Sequence, residues 1–115
     1  MIQKNKQACL LFLSILLTIY LHAQPVRVNA GSLKHFEKFK SSYVSARNVD
    51  VWLPEDYQST KKYPVLYMHD GQMLFDTSVN WNKQEWGIDE TMQELINQKI
   101  INPCIVVAKW HAGLD

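Results

Sequence analysis

Residues 64–70 read PVLYMHD, and residues 104–110 read CIVVAKW. Each is a short, continuous apolar run, which is typical of a β-strand buried on both faces of a sheet. Between them lies GIDETMQELINQK, residues 87–99, in which apolar side chains recur at helical spacing. Strand, helix and strand in this order predict a βαβ unit, whose strands are parallel and whose crossover is right-handed.

The predicted helix has an apolar face and charges that complement its dipole. Asp89 and Glu90 fall in its first turn and Lys99 in its last. Asp89 is a candidate N-cap, so we interpret the two acidic residues as a helix start and not as an acid–base pair. The apolar face consists of Ile88, Met92, Leu95 and Ile96.

The chain before this unit is less regular. Residues 24–41 place Leu33, Phe36 and Phe39 at near-helical spacing, which predicts a short helix or an irregular lead-in. Residues 42–57, SYVSARNVDVWLPEDY, alternate apolar and polar residues and predict one or two half-buried antiparallel strands ending at Pro54. The apolar positions of that alternation are Tyr43, Val49, Val51 and Leu53.

The predicted class is therefore α/β, with antiparallel strands followed by a parallel βαβ unit. A parallel pair needs cover on both faces, whereas one helix covers only one. This unit is expected to leave a sheet face and a sheet edge exposed, so we expect the fold to be incomplete. The segment between strand and helix, residues 71–86, exceeds the usual loop length and predicts a functional loop.

The charge balance gives no indication of a highly charged partner. The chain has 12 basic and 11 acidic residues, a formal net charge of +1. This gives no electrostatic reason to expect nucleic acid or an anionic membrane surface as a partner.

The N-terminus predicts export. Lys4 and Lys6 precede an apolar run, residues 8–21, that is shorter than the ~20 residues needed to span a bilayer. We predict a signal peptide over residues 1–23, cleaved near Ala23, a secreted or periplasmic product, and no stable membrane insertion. Cys104 would then be the one cysteine of the mature chain, and its apolar surroundings predict a buried, inert thiol.

Candidate chemistry lies where the parallel strands end, because ligands of open α/β sheets bind beyond the carboxyl ends of the strands. His69-Asp70-Gly71-Gln72 follows the first strand, and Trp110-His111 follows the second. Gly71 permits a sharp turn, after which backbone N–H groups are available to an oxyanion. A plain turn, with Asp70 bonding its own backbone, is the alternative.

Several motifs are absent from the 115 residues. There is no G-x-S-x-G, so the chain has no nucleophile elbow, and no glycine-rich nucleotide-binding loop, H-E-x-x-H or C-x-x-C occurs. His69 and Asp70 have no second group at metal-ligand spacing. We expect no metal and no cofactor, and no complete catalytic set.

Four segments in order resemble the Putative esterase family, the esterase D and enterochelin-esterase-like branch of the α/β-hydrolases. They are RNVDVWLPEDY, KKYPVLYMHDGQMLFD, WNKQEWGIDETMQELI and CIVVAKW, between Arg47 and Trp110. Met73 stands where many members of the family have Asn. The resemblance implies a partial α/β-hydrolase fold over residues 24–115, the N-terminal portion of an esterase domain.

The resemblance also implies a function. Members are Ser-His-Asp hydrolases of feruloyl and acetyl esters on plant polysaccharides, of acyl thioesters or of siderophore esters. It implies that Gly71 or Gln72 supplies an oxyanion-hole N–H, and that Asp70, Trp81 and Trp86 contact the substrate. The family's Ser, acid and His lie downstream of the HDG-like segment and have no counterpart here. With export, a small-molecule or polysaccharide ester is the expected substrate.

Two alternatives stay open. The chain could be an exported carbohydrate-binding module without catalysis, with an aromatic platform on its surface. It could also be an inactive truncated product that folds poorly. The platform would consist of Trp52, Trp81, Trp86 and Trp110.

Overall fold

The computed structural model describes residues 25–113, and the predicted signal peptide lies outside the described residues. Within this part of the chain, four strands form one sheet, and a helix and two short 3-10 turns pack beside it. The strands are β1 (Ser32–Phe39), β2 (Arg47–Leu53), β3 (Val65–Met68) and β4 (Ile105–Lys109). The helix is α1 (Ile88–Asn97), and the 3-10 turns are Gly71–Met73 and Thr77–Val79.

The sheet has the order β1-β2-β4-β3. β3 and β4 pair in parallel, with Val65 opposite Ile105 and Met68 opposite Ala108. β1 pairs with β2, and β2 with β4, in antiparallel fashion. The predicted parallel βαβ unit behind antiparallel strands is therefore confirmed.

The prediction for residues 24–41 was wrong, because the segment forms strand β1. Its near-helical spacing of Leu33, Phe36 and Phe39 is not matched by burial: Phe36 and Phe39 are 43% and 56% exposed. Where few side chains are buried, the backbone follows its hydrogen-bond partner, and β2 offers a full edge to pair with. The register slips between Phe36 and Phe39, where Lys38 has φ 47° and its N–H bonds to Asn48.

Strand β2 exists as expected, but its buried face is not the predicted one. Tyr43 is 95% exposed and precedes the strand, and Val49 and Val51 are only half-buried. Asp50 and Trp52, on the opposite parity, are completely buried, and of the predicted positions only Leu53 is buried, at 7% exposed. The alternation gave the strand correctly, whereas the helix that covers one face decided which parity is buried.

The core lies on the face of the sheet that α1 covers. Trp52 is completely buried, and its indole N–H donates to the carbonyl of Ala30 at 2.8 Å, so its polar atom is satisfied. Ile88, Met92 and Ile96 of α1 pack against this core, as predicted, whereas Leu95, the fourth residue of the predicted face, is half-buried and is not part of this packing. The buried cluster consists of Trp52, Leu74, Phe75, Val106 and Ala108.

Strand β3 does not have the buried character predicted from its apolar run. Val65, Leu66 and Tyr67 are 42%, 42% and 75% exposed. β3 is an edge strand of the described sheet, so one long side has no neighbouring strand among these residues. This matches the expectation that the unit leaves an edge and a face open. No helix among the described residues is long and apolar enough to cross a membrane.

Asp89 is not the N-cap of α1, contrary to prediction. Gly87 occupies that position in the left-handed region, with φ 59°. The Asp89 carboxylate instead accepts the N–H groups of Asn29 at 2.6 Å and Ala30 at 3.1 Å. A completely buried carboxylate thus anchors the arm that leads into β1.

Asp89 and Glu90 act as one acidic pair. Burial is the largest cause that raises the pKa of Asp89, and its contact with Glu90 raises it further. The pKa of Glu90 is lowered by its bonds to Asp89 and to the Asn29 side chain. Asp89 Oδ1 and Glu90 Oε2 are buried, and neither has a hydrogen-bond partner among the described residues. A proton on Asp89, donated to Glu90, would give both atoms a partner.

Asp89→Asn should make folding stability less dependent on pH. The native state holds the Asp89 proton more tightly than the unfolded chain, so the wild type loses stability as pH rises through the native pKa. Asparagine keeps a neutral donor toward Glu90 at every pH, so the variant should be the more stable protein at neutral pH. Urea unfolding across a pH series checks this. Asp56→Asn, at an exposed carboxylate, is the control; an identical pH profile for Asp89→Asn and wild type would contradict the shared proton.

The helix ends at Asn97, so Lys99 lies beyond the last turn in which it was expected. The Lys99 N–H bonds to the carbonyl of Ile96 at 3.0 Å, and the Ile100 N–H bonds to that of Leu95 at 3.0 Å. This is a Schellman motif, and its left-handed position, φ 58° at Lys99, is one that glycine usually occupies.

Lys99→Gly should raise the free energy of unfolding by about 0.5–1 kcal/mol, because glycine adopts a positive φ without the steric cost of a Cβ. Chemical denaturation of the two proteins at one pH measures it. Lys62→Gly, at an exposed position with no positive φ, should not stabilise. Equal effects of the two substitutions would count against this explanation.

Candidate functional site

The carboxyl ends of β3 and β4 meet at one edge of the sheet, called here the site edge. β3 ends at Met68 and β4 at Lys109, and the chain after each strand turns toward the other. A Cβ placed on Gly71 would stand 2.7 Å from Cδ1 of Trp110 and 2.9 Å from the carbonyl oxygen of Ala108. The two segments singled out from the sequence, His69–Gln72 and Trp110–His111, are therefore in direct contact.

The turn after β3 is tight and internally bonded. Asp70 has φ 54° and ψ 44°, in the left-handed region, which reverses the chain direction at once. The Met73 N–H then donates to the carbonyl of Asp70 at 2.7 Å, and the Leu74 N–H to that of Gly71 at 3.3 Å. Among residues 25–113, no hydrogen bond uses the backbone N–H of Gly71 or Gln72. The two N–H groups are thus candidate donors at the site edge, where Gly71 is buried and Gln72 half-buried.

A side-chain bond ties this turn to the segment after β4. Oε1 of Gln72 accepts the backbone N–H of His111 at 3.1 Å. His111 is exposed, and its Nδ1 accepts the N–H of Gly113 at 3.0 Å. The imidazole thus serves as a local cap, and no nucleophilic side chain pairs with it in the described residues.

The structure shows a polar cluster behind the turn that the sequence did not predict. Asp50 is completely buried in the middle of β2. Its Oδ1 lies 2.5 Å from Nδ1 of His35, and its Oδ2 accepts the indole N–H of Trp110 at 2.5 Å. The rings of His35 and Trp110 meet edge-to-face with centroids 5.6 Å apart. The only sequence signal was an acidic residue between apolar ones in a strand, which polar alternation explains equally well.

Two cavities adjoin these residues. The larger, of 610 Å³, lies on the α1 side of the sheet beside the Trp110 ring. The smaller, of 140 Å³, lies at the ends of β3 and β4 and is lined by Tyr67, Met68, His69, Val107 and Lys109. The larger cavity is lined by Pro25, Val26, His35, Glu37, Asn48, Ser78, Val79 and Trp110.

The other predicted site residues lie around the loop that follows the turn. Trp81 is 91% exposed and Trp86 52% exposed, and neither lines the two cavities. Asp70 is exposed at the turn. Their assignment as substrate contacts stays a prediction. Trp52 is completely buried, so a four-tryptophan surface platform does not form.

Several hydrogen bonds hold the loop that follows the turn. Asp76 accepts the N–H of Arg27 at 2.7 Å and that of Ser78 at 2.8 Å. Burial by itself would raise the pKa of Asp76, but these hydrogen bonds outweigh it and lower the pKa. The Trp86 N–H donates to the carbonyl of Met73 at 2.9 Å, which closes the loop back onto the turn.

Neither metal binding nor thiol chemistry has support at the site edge. Among the described residues, no three His, Cys, Asp or Glu side chains are grouped so as to hold a metal ion. Cys104 is partly buried before β4, and burial raises the pKa of its thiol, which disfavours the reactive thiolate.

Gly71→Ala should destabilise the protein by about 1–3 kcal/mol, because the added methyl meets the Trp110 ring and the β4 backbone at less than contact distance. Thermal or urea unfolding measures the loss. Gln72→Ala, in the same turn, removes only an exposed bond to His111 and should cost less than about 1 kcal/mol. If Gly71→Ala were as stable as wild type, the close packing against β4 would be disproved.

The sequence and the fold are similar to those of known proteins. The model of the Putative esterase family matches residues 41–110, more than half of the chain. The chain therefore belongs to the Putative esterase family. The match covers β2, β3 and the turn after it, α1 and β4, so it includes both strands that end at the site edge.

Solved structures with a similar fold are esterases. A protein named FAE is 25% identical, with a TM-score of 0.51, over 76% of this chain and 29% of its own. A mutant of the feruloyl esterase module from Clostridium thermocellum, complexed with sinapinate, is 22% identical, with a TM-score of 0.52, over 77% of this chain and 34% of its own. The CE1 ferulic acid esterase from Anaeromyces mucronatus is 23% identical, with a TM-score of 0.52, over 74% and 31%.

These likenesses confirm the expected fold class: the described residues form part of an α/β-hydrolase fold. The chain spans about a third of the length of the solved structures that it matches. Comparison with curated proteins gives no match.

Proposed function

We propose that this chain is the N-terminal part of an exported serine esterase that hydrolyses carboxylic esters, with acyl groups on polysaccharides as the substrate class. The observation that carries the proposal is the turn at Gly71 and Gln72. It follows a parallel strand, lies at the site edge and presents two backbone N–H groups that no described residue uses. Membership in an esterase family supports the same reading.

The chemical role proposed for this turn is oxyanion stabilisation. Attack on an ester carbonyl places negative charge on the carbonyl oxygen, and fixed N–H donors stabilise that charge without reorganising. Removal of one such donor from an esterase or protease typically costs about 10²–10³ in kcat. The contacts of Gly71 with Trp110 and Ala108 hold the donors in place before substrate arrives.

The nucleophile, its base and the orienting acid are proposed to belong to a longer protein. The 115 residues contain no G-x-S-x-G, the elbow on which an α/β-hydrolase carries its serine. In an acyl transfer by such a set, the serine attacks, the histidine takes and returns the proton, and the turn described here holds the oxyanion.

Export and polysaccharide substrates are proposed on separate grounds. Residues 1–23 have the charge and apolar length of a signal peptide, which favours a substrate outside the cytoplasm. Trp81 and Trp86 are exposed in the loop that follows the turn, where indole faces suit contact with sugar rings. Asp70 immediately precedes that loop, is exposed, and is proposed as a polar contact.

The test compares this chain with the product of its gene read through beyond codon 115. The longer product should contain G-x-S-x-G and hydrolyse p-nitrophenyl acetate and methyl ferulate, while residues 1–115 alone should not. Hydrolysis would be followed by release of p-nitrophenol and of ferulate. A gene that stops at codon 115, or a longer product without hydrolysis, would end the esterase proposal.

Two further readouts address the finer points. Trp81→Ala in the active product should raise KM for an acylated polysaccharide and leave KM for p-nitrophenyl acetate unchanged. N-terminal sequencing of the exported protein should begin near Gln24. Equal effects on both substrates, or an uncleaved N-terminus, would contradict the polysaccharide contact and the signal peptide respectively.

A further inference from the structure

Membership in the esterase family does not explain why the carboxylate of Asp50 is buried. It is a completely buried carboxylate in the central part of the sheet, where an isolated charge would be strongly unfavourable. Both of its oxygens are occupied, Oδ1 by His35 and Oδ2 by the indole N–H of Trp110. Apolar side chains of similar size often replace buried polar groups without loss of stability, so stability alone does not explain its presence.

The second bond of Asp50 acts on a ring that touches the proposed oxyanion turn. Nε1 of Trp110 is covalently bonded to Cδ1, and Cδ1 is the atom nearest to the site of a Cβ on Gly71, at 2.7 Å. The hydrogen bond from Nε1 to Asp50 therefore fixes the edge of the indole that packs against Gly71. A ring free to rotate about its χ angles would either leave a gap there or collide with the turn.

We propose that Asp50 is a positioning residue for the turn at Gly71 and Gln72, and that it acts through the Trp110 indole. The heavy atoms nearest to the position of a Cβ on Gly71 belong to Trp110 and Ala108, and Trp110 is the one of these two that bonds Asp50. The role assigned to the turn rests on the proposed function, whereas the mechanical link from Asp50 to Gly71 does not depend on it.

Substitutions in this cluster can distinguish a positioning role of Asp50 from a contribution to core stability alone. His35 and Trp110 each bond one oxygen of the same carboxylate, but of the two rings only that of Trp110 is among the atoms nearest to the Cβ position of Gly71. Asp50→Leu removes both bonds. Asp50→Asn retains them, since its amide oxygen accepts from Trp110 and its amide N–H donates to a neutral His35. His35→Phe keeps an aromatic edge against Trp110 and removes only the bond to Oδ1.

The first readout is structural and uses this chain. Residues 1–115 contain four glycines, so labelling with ¹⁵N-glycine gives a short set of amide resonances. Asp50→Leu should shift and broaden the Gly71 resonance, while Asp50→Asn and His35→Phe leave it near its wild-type position. Gly87, at the N-cap of α1, is the internal reference and should not move. Because the Trp110 indole lies nearest to the Cβ position of Gly71 and also bonds Asp50, the Gly71 resonance reports on the placement of that ring.

The second readout is kinetic and uses the longer gene product on p-nitrophenyl acetate. Asp50→Leu should lower kcat by about tenfold or more with KM changed less than about twofold, because misplaced donors weaken transition-state binding. Asp50→Asn should restore most of kcat. His35→Phe should lose stability in urea unfolding to an extent comparable with Asp50→Leu, yet keep the wild-type ratio of kcat to KM.

The outcomes distinguish the two proposals. A Gly71 resonance unmoved by Asp50→Leu, or moved equally by His35→Phe, overturns the positioning role. A Gly71 resonance that follows Asp50 as stated, in a longer product that hydrolyses no ester, retains the mechanical link and refutes the esterase function. A fall in kcat shared equally by Asp50→Leu and His35→Phe would reduce Asp50 to a purely structural residue.

Discussion

Parallel hydrogen bonding between β3 and β4 determines the geometry of the site edge. It pairs Met68 with Ala108, so both strands end at the same edge of the sheet. The segments that follow the two strands therefore begin side by side. Gly71 then meets Trp110 and the β4 backbone at distances that only a residue without a side chain tolerates. The two candidate N–H donors owe their position to this contact, since a strand-end turn alone would leave them free to move.

Buried acidic side chains organise the molecule around that pair of strands. Asp89 and Asp76 fix the arm before β1 by accepting its backbone N–H groups, from α1 and from the loop after the turn respectively. Asp50 joins β1, β2 and the end of β4 through His35 and Trp110. Each carboxylate satisfies donors that would otherwise be buried without a partner, which is the usual condition for burying a charge.

Sequence analysis predicted correctly those elements that depend on one local property, the pattern of apolar residues. The continuous apolar runs and the helical repeat between them sufficed for the βαβ unit and its parallel pairing. It failed at β1, whose exposed side chains impose no period and whose conformation follows from pairing with β2. Asp89 was a reasonable N-cap by position, but a buried carboxylate bonds whatever unpaired N–H groups the fold brings near it, and these belong to Asn29 and Ala30.

Apolar periodicity and glycine placement are local properties of the chain, and they sufficed to predict the class of fold, the βαβ order of its later elements and the segment that carries the candidate turn. Only the tertiary structure decided which face of β2 is buried and that Asp50 links His35 to Trp110 beneath the turn. Those facts join residues as far apart as Asp50 and Trp110, which come together only when β2 pairs with β4. Contacts of that kind depend on strand register, which is decided between segments that are far apart in the chain when they pair in the sheet.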